Sequence, residues 1–124
     1  MVVRLVVLGV VCLAMMGCGF LFEPDTIKYE VTGTASSVSV TMSNEGGNTE
    51  QLSDVSVPWS RELRFYIEDR GFFARISARN NGNSGRVTVN IYHNGRKLGT
   101  ATSEGAYVTA SASEFIECYR CKWE

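Results

Sequence analysis

Apolar side chains occupy every second position along most of this sequence, and this alternation restricts the fold more than any other feature. From Thr26 onwards, apolar and polar residues alternate over short segments such as 27–31 and 87–91. A period of two places successive side chains on opposite faces of an extended strand. We therefore expect strands that each have one apolar face, and these faces require a second layer of strands to cover them.

Short turn segments separate the alternating segments. They are Asn44–Asn48, Glu68–Gly71, the Asn- and Gly-rich segment 80–85, and Asn94-Gly95, which is the strongest hairpin signal because both residues tolerate a left-handed backbone. Turns recur roughly every 8 to 12 residues, which is typical of all-β folds. The sequence after the first 17 residues has no convincing helical period. The pattern predicts seven or eight strands in an antiparallel sandwich or a small barrel.

The first residues have the organisation of an export signal. Arg4 precedes an apolar run over 6–16, and Gly17 and Cys18 follow. This run is shorter than the ~20 apolar residues of a membrane-spanning helix. The segment 13–18 resembles a bacterial lipoprotein signal, in which Cys18 would receive the lipid. An ordinary secretory signal or a retained N-terminal helix is the alternative. We predict a signal peptide over 1–17, a tether over 18–25, a β-sandwich over 26–113 and a tail over 114–124.

Charge and histidine content exclude several functions. The formal net charge is −1 at pH 7, so no basic excess points to nucleic acid. His93 is the single histidine, which excludes the usual multi-histidine zinc sites. It stands beside a predicted hairpin tip without a nucleophile nearby in sequence, and we interpret it as a solvated turn residue. We predict no catalytic residue, no metal and no cofactor.

Two cysteines near the C-terminus have redox-motif spacing. Cys118 and Cys121 lie in the tail, without the helix that lowers a thiol pKa in thioredoxin-type motifs. In an oxidising compartment the pair favours a small structural disulfide. Unpaired thiols, an intermolecular bridge, and redox or metal chemistry remain alternatives.

Arginine and aromatic side chains share the outward parity of three successive predicted strands, and we predict that they form one sheet face. The residues are Arg64, Tyr66, Phe73, Arg75, Arg79, Arg86 and Tyr92. Such a face suits anionic headgroups or a partner protein. The alternative is a solvated face that Glu62 and Glu68 balance.

Short segments in a fixed order carry a family resemblance. They are Tyr29-Glu30-Val31-Thr32-Gly33-Thr34-Ala35, Val38-Ser39-Val40-Thr41, Gly46-Gly47-Asn48-Thr49, Val55-Ser56-Val57-Pro58-Trp59-Ser60, Ser77-Ala78-Arg79-Asn80, Val87-Thr88-Val89-Asn90-Ile91-Tyr92, Asn94-Gly95-Arg96-Lys97 and Gly105-Ala106-Tyr107-Val108. Over residues 27–112 this set resembles the extracytoplasmic domain of the mycobacterial small membrane-protein family, MmpS.

The resemblance implies an immunoglobulin-like β-sandwich and a non-enzymatic accessory role in the cell envelope. MmpS proteins assist MmpL transporters of the resistance-nodulation-division superfamily, which export lipids or siderophores. The implied location is the extracytoplasmic face of the cell membrane, with a lipid anchor at Cys18. Members usually have a transmembrane helix, whereas this chain has a lipoprotein-like signal. They also have a cysteine pair in the late strands, whereas the corresponding strand here carries Asn90 and the cysteines lie in the tail. A structural or adhesin-like module and a thiol–disulfide protein are the alternative functions.

Overall fold

Eight strands in two antiparallel sheets make up the protein. The computed structural model describes residues 23–119 and 121. The predicted signal peptide and Cys18 lie outside the described residues. The predicted all-β sandwich is confirmed, since the strands form two four-stranded sheets and the described residues form no helix. The strands are β1 (Asp25–Gly33), β2 (Val38–Ser43), β3 (Thr49–Val55), β4 (Trp59–Phe65), β5 (Phe72–Asn80), β6 (Arg86–His93), β7 (Arg96–Glu104) and β8 (Thr109–Ile116).

The chain crosses repeatedly between the two sheets. The first sheet has the order β4-β1-β6-β7 and the second has the order β3-β2-β5-β8. The β2–β3 and β6–β7 hairpins stay within a sheet, and the other connections cross to the opposite sheet. Most consecutive strands therefore lie in opposite sheets, and the apolar faces of the two sheets meet across the interior, which is the arrangement of a sandwich.

The two ends of the sandwich differ in what they carry. We call one the tether end, because β1 begins there. It also holds the hairpin turns 44–48 and 94–95, the connection 66–71 and the segment after β8. The opposite, distal end holds the connections 34–37, 56–58, 81–85 and 105–108. The strand registers fix this assignment, since Asp25 lies opposite Phe65, and Phe72 lies opposite Ile116.

The alternating apolar residues fill the space between the sheets. The fully buried large side chains are Ile27, Tyr29, Val31, Val38, Val40, Met42, Leu63, Ile67, Ile76, Val87, Val89 and Ile91. Each large apolar side chain contributes roughly 1.5–3 kcal/mol on burial. Ala106 departs from the pattern and is exposed, because it lies in the turn before β8 and the inward parity begins only at Ala110.

The last strand extends beyond the predicted domain boundary at residue 113. Strand β8 continues to Ile116, which is buried opposite Phe72 of β5. Cys118 keeps the inward parity and belongs to the core, with 6% of its surface exposed. The start of the predicted tail is therefore part of the sandwich, because its apolar residues continue the spacing of the strand before it.

A buried tyrosine joins the two sheets. Tyr29 reaches from β1 across the interior, and its hydroxyl donates to the Ser43 carbonyl oxygen at 2.8 Å. The Ser43 Oγ donates to the Phe73 carbonyl at 3.1 Å and accepts from the Arg75 N–H at 3.0 Å. The Ser43 side chain therefore takes the place of the backbone hydrogen bonds between strands at the point where the pairing of β2 with β5 ends. Burial raises the pKa of the Tyr29 phenol.

We expect Tyr29→Phe to lower the free energy of unfolding by about 1–2 kcal/mol, because Ser43 loses a buried hydrogen-bond donor. Wild-type stability should also fall above about pH 10, because the unfolded chain gives up the phenol proton before the folded chain does. Below that pH the contribution of the raised pKa is fully present, and the variant lacks this alkaline loss.

Urea unfolding between pH 7 and 11 measures both effects. Tyr107→Phe is the matched control, since Tyr107 is 53% exposed. Equal alkaline slopes for the two variants would contradict the assignment.

Candidate binding face

The structure divides the predicted arginine–aromatic face between two sheets that face opposite ways. The outer face of the first sheet carries Arg64, Arg86 and Tyr92. The outer face of the second sheet carries Phe73, Arg75 and Arg79, all on β5. Tyr66 lies in the connection between β4 and β5. The prediction of a single face is therefore wrong. Alternation determines which way a side chain points from its own strand, but it does not determine which strands are neighbours.

The outer face of the first sheet is balanced in charge. Lys28 lies opposite Glu62, and Arg86 lies opposite Glu104 across adjacent strands. Another carboxylate, that of Glu30, accepts hydrogen bonds from the Asn90 Nδ2 at 2.9 Å and the Tyr92 hydroxyl at 3.1 Å. Partial desolvation and the Glu30 carboxylate raise the pKa of Tyr92. This surface matches the solvated alternative.

The outer face of the second sheet combines arginines with hydroxyl groups. Thr41, Ser77 and Ser111 form one row across β2, β5 and β8. Ser39, Arg79 and Thr109 form a second row, and Arg75 lies opposite Ser113. We call these eight residues the arginine–hydroxyl face. It contains no carboxylate.

Aromatic rings hold both arginines of this face. The Arg75 guanidinium carbon lies 4.6 Å from the centre of the Phe73 ring, and that of Arg79 lies 5.7 Å from the Tyr107 ring. In the described part of the chain the salt bridges are Arg61–Glu50, Arg70–Glu68 and His93–Asp25. Arg75 and Arg79 belong to none of them. Their donors are therefore available to anionic or carbonyl oxygens, which a guanidinium binds in a fixed geometry.

A shallow depression of about 400 Å³ lies in the centre of this face. A second depression, of about 410 Å³, lies at the tether end beside Phe73 and Tyr66. Arg75, Thr41, Ser77, Ser111 and Ser113 line the central one. Hydroxyls both donate and accept hydrogen bonds. The centre of the sheet can therefore bind a polar or anionic group without any bond chemistry.

Sequence reasoning missed the hydroxyl rows and Tyr107. The alternation that places Ala110 and Ala112 inward also places Thr109, Ser111 and Ser113 outward, so the signal was present. The pairing of β5 with β8 was not in the sequence pattern. Tyr107 has a φ of 57° and lies in the connection between β7 and β8. Because it is outside the strands, the alternation does not predict its contact with Arg79.

His93 is not the solvated turn residue that its position predicts. Its side chain is 12% exposed, and its Nε2 lies 3.0 Å from the Asp25 Oδ1. The other Asp25 oxygen accepts a hydrogen bond from the Ile67 N–H at 3.2 Å. The pair arises because β1 begins beside the end of β6, where Ile27 lies opposite His93. The histidine therefore fastens the start of the first strand.

The two tail cysteines form a disulfide in the structure. Cys118 and Cys121 have Cα atoms 5.4 Å apart, and the Cys121 N–H donates to the Cys118 carbonyl at 3.2 Å. Within residues 23–119 and 121, no group of three or more His, Cys, Asp or Glu side chains could hold a metal ion. Burial of Cys118 restricts access to the sulfur, and thiol exchange requires such access.

Comparison with known proteins gives a family and a weak structural similarity. The family described as Mycobacterium membrane protein matches residues 3–112. A solved structure from work on two families of calcium-dependent carbohydrate-binding modules has 16% sequence identity and a TM-score of 0.40. That alignment covers 59% of this chain and 60% of the module. No curated protein matches the chain. The described residues include no helix that is long and apolar enough to cross a membrane.

Proposed function

The chain belongs to the MmpS-type family of Mycobacterium membrane proteins, and from this membership we propose that it is a non-enzymatic accessory protein on the extracytoplasmic face of the cell membrane. The family supports membrane association. In the proposal, lipid on Cys18 supplies the anchor, because the apolar run before it is too short to span a bilayer. The folded sandwich then lies outside the membrane.

In this role the protein recognises an envelope partner through the arginine–hydroxyl face. The observation that carries the proposal is the charge contrast between the two outer faces. Basic residues lie opposite acidic residues across the first sheet, whereas Arg75 and Arg79 on the second sheet have no acidic residue opposite them in the register. A surface of unpaired guanidinium groups ordered by aromatic rings is typical of binding sites, where arginine and aromatic residues are enriched.

Rigidity supports recognition as the mechanism. Strand β5 lies between β2 and β8 in the second sheet, and the inward Ala74, Ile76 and Ala78 are buried. The outward side chains of this strand therefore stand on a fixed backbone, which lowers the entropy lost on binding. The partner we propose is an exporter of the MmpL type, or another envelope protein that offers anionic or carbonyl oxygens.

Crosslinking in the native membrane, followed by purification of the chain, tests this proposal. We expect wild type to recover an envelope protein, and Arg75→Ser combined with Arg79→Ser to reduce that recovery about tenfold or more, because each exchange removes a hot-spot type of side chain.

Arg64→Ser combined with Arg86→Ser is the matched control. It removes the same charge from the opposite face, and recovery should stay at the wild-type level. Equal loss in both double variants would show that net charge, not the arginine–hydroxyl face, governs binding. Recovery of no envelope protein by wild type would contradict the accessory role.

A further inference from the structure

Exposed aromatic side chains concentrate at the tether end of the sandwich. The exposed large hydrophobic residues in the described ranges are Tyr66 (50%), Phe73 (46%), Tyr107 (53%), Phe115 (58%) and Tyr119 (58%). All except Tyr107 lie at or beside the end where β1 begins. Exposing apolar ring surface to water is unfavourable, and a cluster of exposed rings marks an interaction surface.

The fold holds these rings in place. Phe73 of β5 and Phe115 of β8 lie opposite each other on the outer face of the second sheet. The Phe115 ring covers Gly71, where a Cβ atom would lie 2.4 Å from the ring Cζ. Tyr66 and Phe73 line the same shallow depression beside the β2–β3 hairpin. The rings therefore form a fixed surface and not a set of independent side chains.

The chain before β1 keeps this surface close to any membrane attachment. Asp25 follows Cys18 by seven residues in the sequence, and seven extended residues span at most about 25 Å. The strands are up to nine residues long, which is about 30 Å. The tether end can therefore reach the membrane surface, while the distal end with Tyr107 stands away from it.

We propose that the tether end rests on the lipid headgroups, with Phe73 and Phe115 in the interfacial layer of the bilayer. This inference rests on the membrane attachment in the proposed function. Aromatic rings favour that layer, where an apolar body and a polar surrounding coexist.

Charge alone does not explain such a contact. The tether end carries the cations Arg70, Arg96 and Lys97, but also the acids Glu45, Glu68, Asp69 and Glu117. The contact therefore depends on the aromatic rings. Attachment at one end supplies a high effective concentration of the surface at the bilayer, so weak individual contacts are sufficient.

Tryptophan quenching by brominated lipids tests the proposal with the full chain. In a Trp123→Phe background, Phe73→Trp and Phe115→Trp are compared with Tyr107→Trp, an exposed aromatic position at the distal end. Each protein is reconstituted into phosphatidylcholine–phosphatidylglycerol vesicles with or without brominated acyl chains. Trp59 lies opposite Val31, near the distal end, and gives a constant background.

We expect the brominated lipids to reduce the added fluorescence at positions 73 and 115 by about half, since interfacial side chains lie within the outer ~5–10 Å of the acyl boundary. Position 107 should show no reduction. Phe115→Trp can disturb the contact between residue 115 and Gly71, which a fall in melting temperature would reveal. In that case the result for Phe73→Trp decides the test.

Vesicle flotation of the same samples separates this inference from the function on which it rests. Loss of flotation contradicts the membrane anchor, and the tether-end contact with it. Floating protein without quenching at positions 73 and 115 contradicts the contact alone. Equal quenching at all three positions also contradicts it, because the end would then have no preferred orientation. If the tryptophans at positions 73 and 115 are not quenched by brominated lipids but emit at the short wavelength of buried tryptophan, a second copy or a protein partner covers them, and the proposal is overturned.

Discussion

Replacing Gly33 by Ala should lower the free energy of unfolding by about 3 kcal/mol, the combined scale of backbone strain and overpacking. Gly33 has a φ of 137°, and a Cβ atom there would lie 2.0 Å from the Arg86 carbonyl oxygen. That oxygen has little freedom to move, because it accepts hydrogen bonds from the Thr34 and Ala35 N–H groups at 2.9 and 3.2 Å. The substitution should therefore break the end of the β1–β6 pairing.

Gly47→Ala separates backbone strain from the steric overlap with a neighbouring carbonyl oxygen. Gly47 has a φ of 82°, but nothing lies within 4 Å of a Cβ atom at this position. Its replacement should cost about 1–2 kcal/mol from backbone strain alone. Urea unfolding of both variants gives the comparison. Equal losses would show that the close approach to Arg86 does not constrain residue 33.

Replacing Asn80 by Ala should lower the free energy of unfolding by about 2–4 kcal/mol, since several buried groups lose their hydrogen-bond partner together. Asn80 is fully buried at the end of β5. Its Nδ2 donates to the carbonyl oxygens of Ser84 at 2.8 Å and Gly105 at 3.0 Å, and its Oδ1 accepts from the Gly82 N–H at 2.8 Å. One side chain thus organises two connections at the distal end.

Asn83→Ala is the matched control for this change. Asn83 lies in the same connection and is exposed, so its replacement should change stability by less than about 0.5 kcal/mol. Thermal unfolding and hydrogen exchange of the backbone amides at 82 and 105–107 measure the effect. If both variants keep wild-type stability and exchange, Asn80 does not hold the connections together.

The sequence predicted the sandwich because burial on one face of a strand leaves a direct mark on every second residue. Ile27, Tyr29 and Val31 point inward for that reason alone. The hairpins at 44–48 and 94–95 were predictable because the left-handed backbone of a tight turn favours Asn and Gly. These features depend on neighbours in the sequence, which periodicity can detect.

The candidate binding face was only partly predictable, because it depends on which strands become neighbours. Arg64 and Arg75 have the same outward parity, yet they stand on opposite sides of the molecule since β4 and β5 belong to different sheets. The contact of His93 with Asp25 joins residues far apart in the chain, and the same holds for Tyr29 with Ser43. Alternation contains no information about such long-range pairs.

Strand β5 runs from the tether end to the distal end, so each outward side chain on it lies at a fixed distance from the tether end. Six residues separate Phe73 from Arg79 along the strand, which corresponds to roughly 20 Å. In the proposed orientation, a partner that binds Arg79 would have to extend about that far from the bilayer, whereas a partner that binds only Arg75 would have to extend roughly 7 Å. Because the aromatic rings make the contact with the bilayer, lengthening the linker before Asp25 should leave both distances unchanged.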